Sequence, residues 1–142
     1  MKKFFVLAAI ATVAALPVFA RNGESTAVAH FNADFKGAAG IWNVEKMYNE
    51  VLYFWHGTLM DAFYDLDGNL IGIFHDVDAS ALPAKSADNI KNWYKGYEVK
   101  EITVMEKDGQ DPVYYVSVES AAHAKVLEVS KDGQIGVYKN LR

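Results

Sequence analysis

Two short segments of the chain carry apolar side chains at helical spacing. The first segment holds Val28, Phe31 and Phe35, and the second holds Ile90, Trp93 and Tyr94. Lys36-Gly37 follows the first segment, Pro83 precedes the second, and Lys95-Gly96 closes it. Proline near a helix start and glycine after a helix end are typical boundaries. The pattern therefore predicts helices over 25–36 and 83–95.

Segments rich in aromatic and β-branched residues follow each predicted helix. Turn dipeptides interrupt them at His56-Gly57, Asp67-Gly68, Asp108-Gly109 and Asp132-Gly133. Strands joined by such short turns are antiparallel. The predicted strands lie near 41–48, 50–56, 58–65 and 70–77, and then near 97–106, 113–119, 123–130 and 134–139.

The two halves of the chain have the same order of predicted elements. The hairpin over 63–74 corresponds to the hairpin over 127–138, and Leu82-Pro83 separates half-repeats of about 25–77 and 83–139. This organisation predicts an α+β fold. We expect a tandem repeat of one helix followed by a four-stranded antiparallel sheet, with the helices on one sheet face.

The strands of the first half are apolar on both faces. The run Val51-Leu52-Tyr53-Phe54-Trp55 lacks the polar alternation of a half-exposed strand. One set of its side chains must therefore face something other than the helix. That face is either covered by another part of the protein or a partner subunit, or is exposed for recognition, as aromatic surfaces with a polar rim are at binding sites.

Alternation groups Tyr53 and Trp55 on one side of their strand, and Phe63 and Phe74 are candidate neighbours there. We predict that these four residues bind a partner, because Tyr and Trp carry much of the energy of protein interfaces. The side chains expected to face the helix instead are Leu52, Phe54, Tyr64 and Ile73.

Residues 1–20 have the composition of a cleavable signal peptide. Lys2 and Lys3 precede an apolar run over 4–15, and Val18-Phe19-Ala20 presents small residues at the cleavage positions. The run is shorter than the roughly 20 residues that span a bilayer. We expect one domain over 21–142, periplasmic or secreted, with no membrane anchor after cleavage. Because the chain has no cysteine, lipid attachment at the cleavage site and disulfides are excluded.

Loss of Lys2 and Lys3 leaves 12 basic against 18 acidic residues, a net charge of −6. No run of basic residues remains, so nucleic acid is not an expected partner.

No residues are predicted to be catalytic. Cysteine is absent, and no serine stands in a nucleophile motif. No phosphate-binding glycine motif occurs either, and neither cofactor nor metal is expected. Asp65-Leu66-Asp67-Gly68-Asn69 shares oxygens and a glycine with calcium loops, but a strand follows where further ligands would be required, so a hairpin turn is favoured.

The chain resembles the PepSY-like family of exported bacterial proteins, also described as beta-lactamase-inhibitor-like. The resemblance is carried by Phe31, Phe35 and Trp42, by the segments 49–54 and 62–70, and in the second half by Leu82-Pro83 and the segments 96–99, 114–118 and 132–135. It implies a fold and an exported location, and related modules bind or inhibit exported enzymes.

We therefore expect a non-enzymatic module that recognises a protein or peptide in the cell envelope through an aromatic sheet face. The alternative is a periplasmic protein that binds a small molecule or a metal ion, either on the same face or through the oxygens of 65–69 and 75–78.

Overall fold

A computed structural model describes residues 21–142 of the chain, with side chains from Thr26 onward. The predicted signal peptide, residues 1–20, lies outside the described residues. The described elements are α1 (Arg21–Asp34), β1 (Gly40–Val44), β2 (Asn49–Trp55), β3 (Thr58–Tyr64), β4 (Leu70–Asp76), a 3₁₀ turn (Ala79–Ala81), α2 (Ser86–Trp93), β5 (Glu98–Glu106), β6 (Val113–Glu119), β7 (Ala124–Val129) and β8 (Ile135–Asn140).

The eight strands form one sheet in the order β1 to β8. The α+β class and the antiparallel pairing are confirmed. The prediction of a tandem repeat, in which each helix has its own four-stranded sheet with the helices on one face, was wrong. Its strands are members of a single eight-stranded sheet. The turn pattern shows where strands end, but it does not show whether the last strand of one half pairs with the first strand of the next.

Within the described residues the chain divides into two compact units, one ending at His75 and the other running from Asp76 to Arg142. Each has its own core. In the first unit, α1 packs on β2 and β3 through buried Phe31, whose ring centroid lies 4.9 Å from that of Tyr53 in an edge-to-face contact. The other buried members of this core are Ala27, Val51, Ala62 and Tyr64.

In the second unit, the buried side chain of Ile90 on α2 packs against apolar residues of β5, β6 and β7. Those strand residues are Ile102, Val116, Val118, Leu127 and Val129. They recur at every second position within their strands, so the opposite face of these strands carries a different set of side chains.

Two glycines allow close packing in the first unit. A Cβ at Gly40 would lie 2.4 Å from Val51 Cγ2, so only glycine lets β1 approach β2 at this point. Gly68 has a φ of +85°, and a Cβ there would lie 2.7 Å from the side chain of Thr26 on α1. His30 Nδ1 is also 2.6 Å from the carbonyl oxygen of Gly68. The turn between β3 and β4 is therefore held against the helix.

Candidate binding face

The register of β2 and β3 assigns each side chain to one of two faces. Val51 pairs with Ala62 and Tyr53 with Met60, and this set faces α1. Leu52 pairs with Asp61 and Phe54 with Leu59, so these side chains lie on the face opposite α1.

The four predicted binding residues do not share a face. Tyr53 is buried and Trp55 is half-buried, and both pack on Phe35, the residue that follows α1, with ring centroids 4.7 and 5.3 Å from it. Phe63 and Phe74 lie on the opposite face. Both are buried, and their ring centroids are 5.3 Å apart. The role of these four residues in binding stays a prediction.

The assignment of the two faces of β2 was reversed, because Phe54 was expected under the helix and is 68% exposed. Alternation separates odd from even positions within a strand, but an apolar run has no polar set to show which side faces water.

An exposed apolar cluster lies on the face opposite α1, and we call it the Phe54 patch. It consists of Ile41 on β1, Leu52 and Phe54 on β2, and Leu59 on β3. Ile41 pairs with Leu52 and Phe54 with Leu59 across neighbouring strands. Ile41 is 76% exposed and Leu59 is 37% exposed. Contiguous apolar side chains in water are typical of surfaces that bind another molecule.

An acidic residue is buried beside this patch on the same face. Asp61 pairs with Leu52 and is only 6% exposed. Among the described residues, neither of its carboxylate oxygens has a hydrogen-bond partner. Burial, and then the negative charge of Glu50, raise the pKa of Asp61 to about 8. Strongly shifted carboxyl groups in such positions are candidates for function.

The surroundings of Asp61 are also acidic. The carboxylate of Glu50 accepts a hydrogen bond from Asn43 Nδ2 at 3.1 Å, and the same nitrogen donates to Glu45 at 3.1 Å. Burial and the charges of Glu50, Glu45 and Asp61 raise the pKa of the Tyr48 hydroxyl. In the described part of the chain, no lysine or arginine is paired with Glu50 or Asp61.

Sequence reasoning missed Asp61. The signal for it was visible, because a single carboxylate interrupts the otherwise apolar strand Leu59-Met60-Asp61-Ala62-Phe63. A charge at a strand position flanked by core residues is seldom buried unless it is paired or functional.

The loop over 65–69 forms a hairpin turn, as predicted. Asp65 Oδ1 accepts hydrogen bonds from the backbone N–H groups of Asp67 and Asn69 at 2.9 and 2.8 Å. Burial alone would raise the pKa of Asp65, but the hydrogen bonds from Asn69, Asp67 and Gly68 lower it. Across residues 21–142, no group of three or more His, Asp or Glu side chains is arranged to hold a metal ion.

A groove of about 530 Å³ opens in the second unit. Apolar residues, among them Val99, Ile102 and Val118, form part of its lining, together with Asp76, Lys125 and Arg142. Arg142 is paired with Glu119. A groove of this size could take a small organic molecule.

Comparison with known proteins gives the fold of this chain. Neither a family model nor a curated protein matches it. Among solved structures, a DUF2874 family protein from Bacteroides uniformis superposes with a TM-score of 0.72 at 15% identity, covering 82% of this chain and 88% of that one.

A BLIP-like protein from Bacteroides fragilis superposes with a TM-score of 0.69 at 16% identity over 92% of this chain and 90% of that one. The chain has a beta-lactamase-inhibitor-like fold. A protein from Bacteroides eggerthii, described provisionally as periplasmic, gives a TM-score of 0.70 at 14% identity over 82% and 87% of the two chains. The beta-lactamase-inhibitor-like fold that the resemblance implied is confirmed, and membership of the PepSY-like family stays a prediction.

None of the helices in the described part of the chain is long and apolar enough to cross a membrane.

Proposed function

We propose that this chain is an exported, non-enzymatic module that binds a protein or peptide through the face opposite α1. The observation that carries the proposal is the Phe54 patch, where Phe54 and Ile41 are 68% and 76% exposed on neighbouring strands. Phe63 and Phe74 are buried on the same face and contact each other. Aromatic side chains are enriched among the residues that bind at protein interfaces.

The location and the fold agree with this proposal. The signal-peptide pattern predicts export, and a structural neighbour is described provisionally as periplasmic. Another neighbour is named as BLIP-like, which suggests an inhibitor among proteins of this fold. We infer a partner in the cell envelope, and inhibition of an exported enzyme is the activity to test first.

Affinity capture from an envelope extract tests the proposal when variants are compared. The Phe54→Ala variant should retain any captured partner at least tenfold less well than the unaltered protein, which corresponds to about 1.4 kcal/mol. Trp93→Ala is the matched control, since Trp93 is 63% exposed but lies on α2. Equal loss in both variants, or loss only with Trp93→Ala, would contradict the proposal.

The groove in the second unit favours a second candidate, binding of a small molecule. Native mass spectrometry of the protein purified after export would show a retained ligand as added mass. Val99 lines the groove and is 46% exposed, so Val99→Trp should occlude the groove without emptying a core position. If Val99→Trp abolishes the added mass and Phe54→Ala leaves it unchanged, the result favours binding of a small molecule in the groove.

A further inference from the structure

We propose that the partner presents an arginine side chain beside apolar residues, and that its guanidinium binds between Glu50 and Asp61. This inference rests on the proposed function, because it assigns the chemistry of the partner for the same face. It commits to a basic protein or peptide segment as the occupant of the Phe54 patch.

The arrangement of the face places apolar and acidic groups side by side. Glu50, Leu52 and Phe54 follow one another at every second position of β2, so all three point to the same side. Asp61 and Leu59 pair with Leu52 and Phe54 on β3. Alternate side chains of a strand are roughly 6–7 Å apart. The apolar stem of an arginine can therefore lie on the patch while its charged end reaches the carboxylates.

The charge of the site selects a cation. Asp61 is 6% exposed, and neither of its oxygens has a hydrogen-bond partner among the described residues. A buried carboxyl group without partners is costly. Glu50 adds negative charge next to Asp61, and no lysine or arginine among the described residues is paired with either group. A guanidinium would donate hydrogen bonds to both groups and compensate the negative charge of Glu50, and its positive charge would favour release of the proton that Asp61 holds in the free protein, whereas an acidic partner would be repelled.

The different exposure of Glu50 and Asp61 determines which of the two acids a partner meets first. Glu50 is half-buried and so reaches the surface, while Asp61 lies deeper. A guanidinium carries five N–H donors in a planar fork. It can donate to Glu50 at the surface and to Asp61 below, which the compact ammonium of lysine does less well.

A pair of peptides tests the inference. The probes are N-acetyl-Leu-Arg-Phe-amide and its analogue with citrulline, the neutral isostere, in place of arginine. Each is titrated into isotope-labelled protein purified after export, at pH 7 and low salt, and backbone amide shifts are recorded by NMR. The arginine peptide should shift the amides of Leu52, Phe54 and Asp61 and bind at least tenfold more tightly than the citrulline peptide. Equal affinities, absence of binding, or shifts confined to other strands would overturn the inference.

Two variants separate this inference from the proposed function. Asp61→Asn and Glu50→Gln should each reduce the preference for arginine over citrulline at least threefold, while Glu128→Gln, an exposed acid on β7, should leave it unchanged. Phe54→Ala should weaken both peptides alike. A captured partner that depends on Phe54 but not on Asp61 or Glu50 would refute arginine recognition and leave the proposed function standing.

Discussion

At the scale of single residues, Gly68 and Gly57 make a matched pair. Both have positive φ angles, +85° and +82°, but a Cβ at Gly57 meets nothing within 4 Å, whereas one at Gly68 would lie 2.7 Å from Thr26. The left-handed conformation costs roughly 1–2 kcal/mol for a residue with a side chain. At Gly68 a collision with α1 adds to that cost.

We therefore expect Gly68→Ala to lower the melting temperature clearly more than Gly57→Ala. Thermal unfolding followed by circular dichroism measures both. Equal decreases would mean that the turn is free to move away from α1.

Asp61 should make the stability of the protein depend on pH. Its pKa is raised to about 8 in the folded chain from an ordinary value of 3.8. Between these values the unfolded chain has lost a proton that the folded chain still holds, so the free energy of unfolding falls as pH rises from about 4 to 8. The negative charge of Glu50 strengthens this trend because it disfavours a second negative charge on Asp61.

Asp61→Asn should remove that fall, so the variant should gain stability relative to the unaltered protein as pH rises from 5 to 8. Urea unfolding at a series of pH values measures the difference. A parallel pH dependence in both proteins would show that Asp61 is not the titrating group.

At the scale of elements, the two faces of β2 should respond oppositely to truncation. Tyr53 is 1% exposed and packs on Phe31 and Phe35, while Phe54 is 68% exposed. Replacing a buried aromatic residue by alanine costs about 3–5 kcal/mol. Tyr53→Ala should therefore destabilise the protein strongly, and Phe54→Ala should change its stability by less than about 1 kcal/mol.

Chemical denaturation of the two variants decides this prediction. If Phe54→Ala destabilised as much as Tyr53→Ala, both faces of β2 would be buried, and the Phe54 patch would not be a binding surface.

At the scale of the whole molecule, export remains a prediction from the sequence. We expect the protein recovered from the envelope or medium to begin at Arg21, because the small residues before it fit signal peptidase cleavage. Mass spectrometry of the native N-terminus checks this. Exported protein that retains Met1 would contradict it.

The α+β class, the turns and most of the strands followed from local patterns in the sequence. Glycines in turns and apolar spacing reflect backbone and packing preferences that act over a few residues, and the Asp65–Asn69 turn has the structure that its residues predicted. The absence of cysteine and of a nucleophile motif likewise needed no coordinates.

Only the tertiary structure decided how the strands join and which side of them faces water. Membership of all eight strands in one sheet depends on which strand edges pair, which an alternating pattern does not encode. The exposure of Phe54 and the burial of Tyr53 depend on which face α1 covers. A strand that is apolar on both sides gives no local preference for either face, so the packing of the helix determines which residues face the solvent.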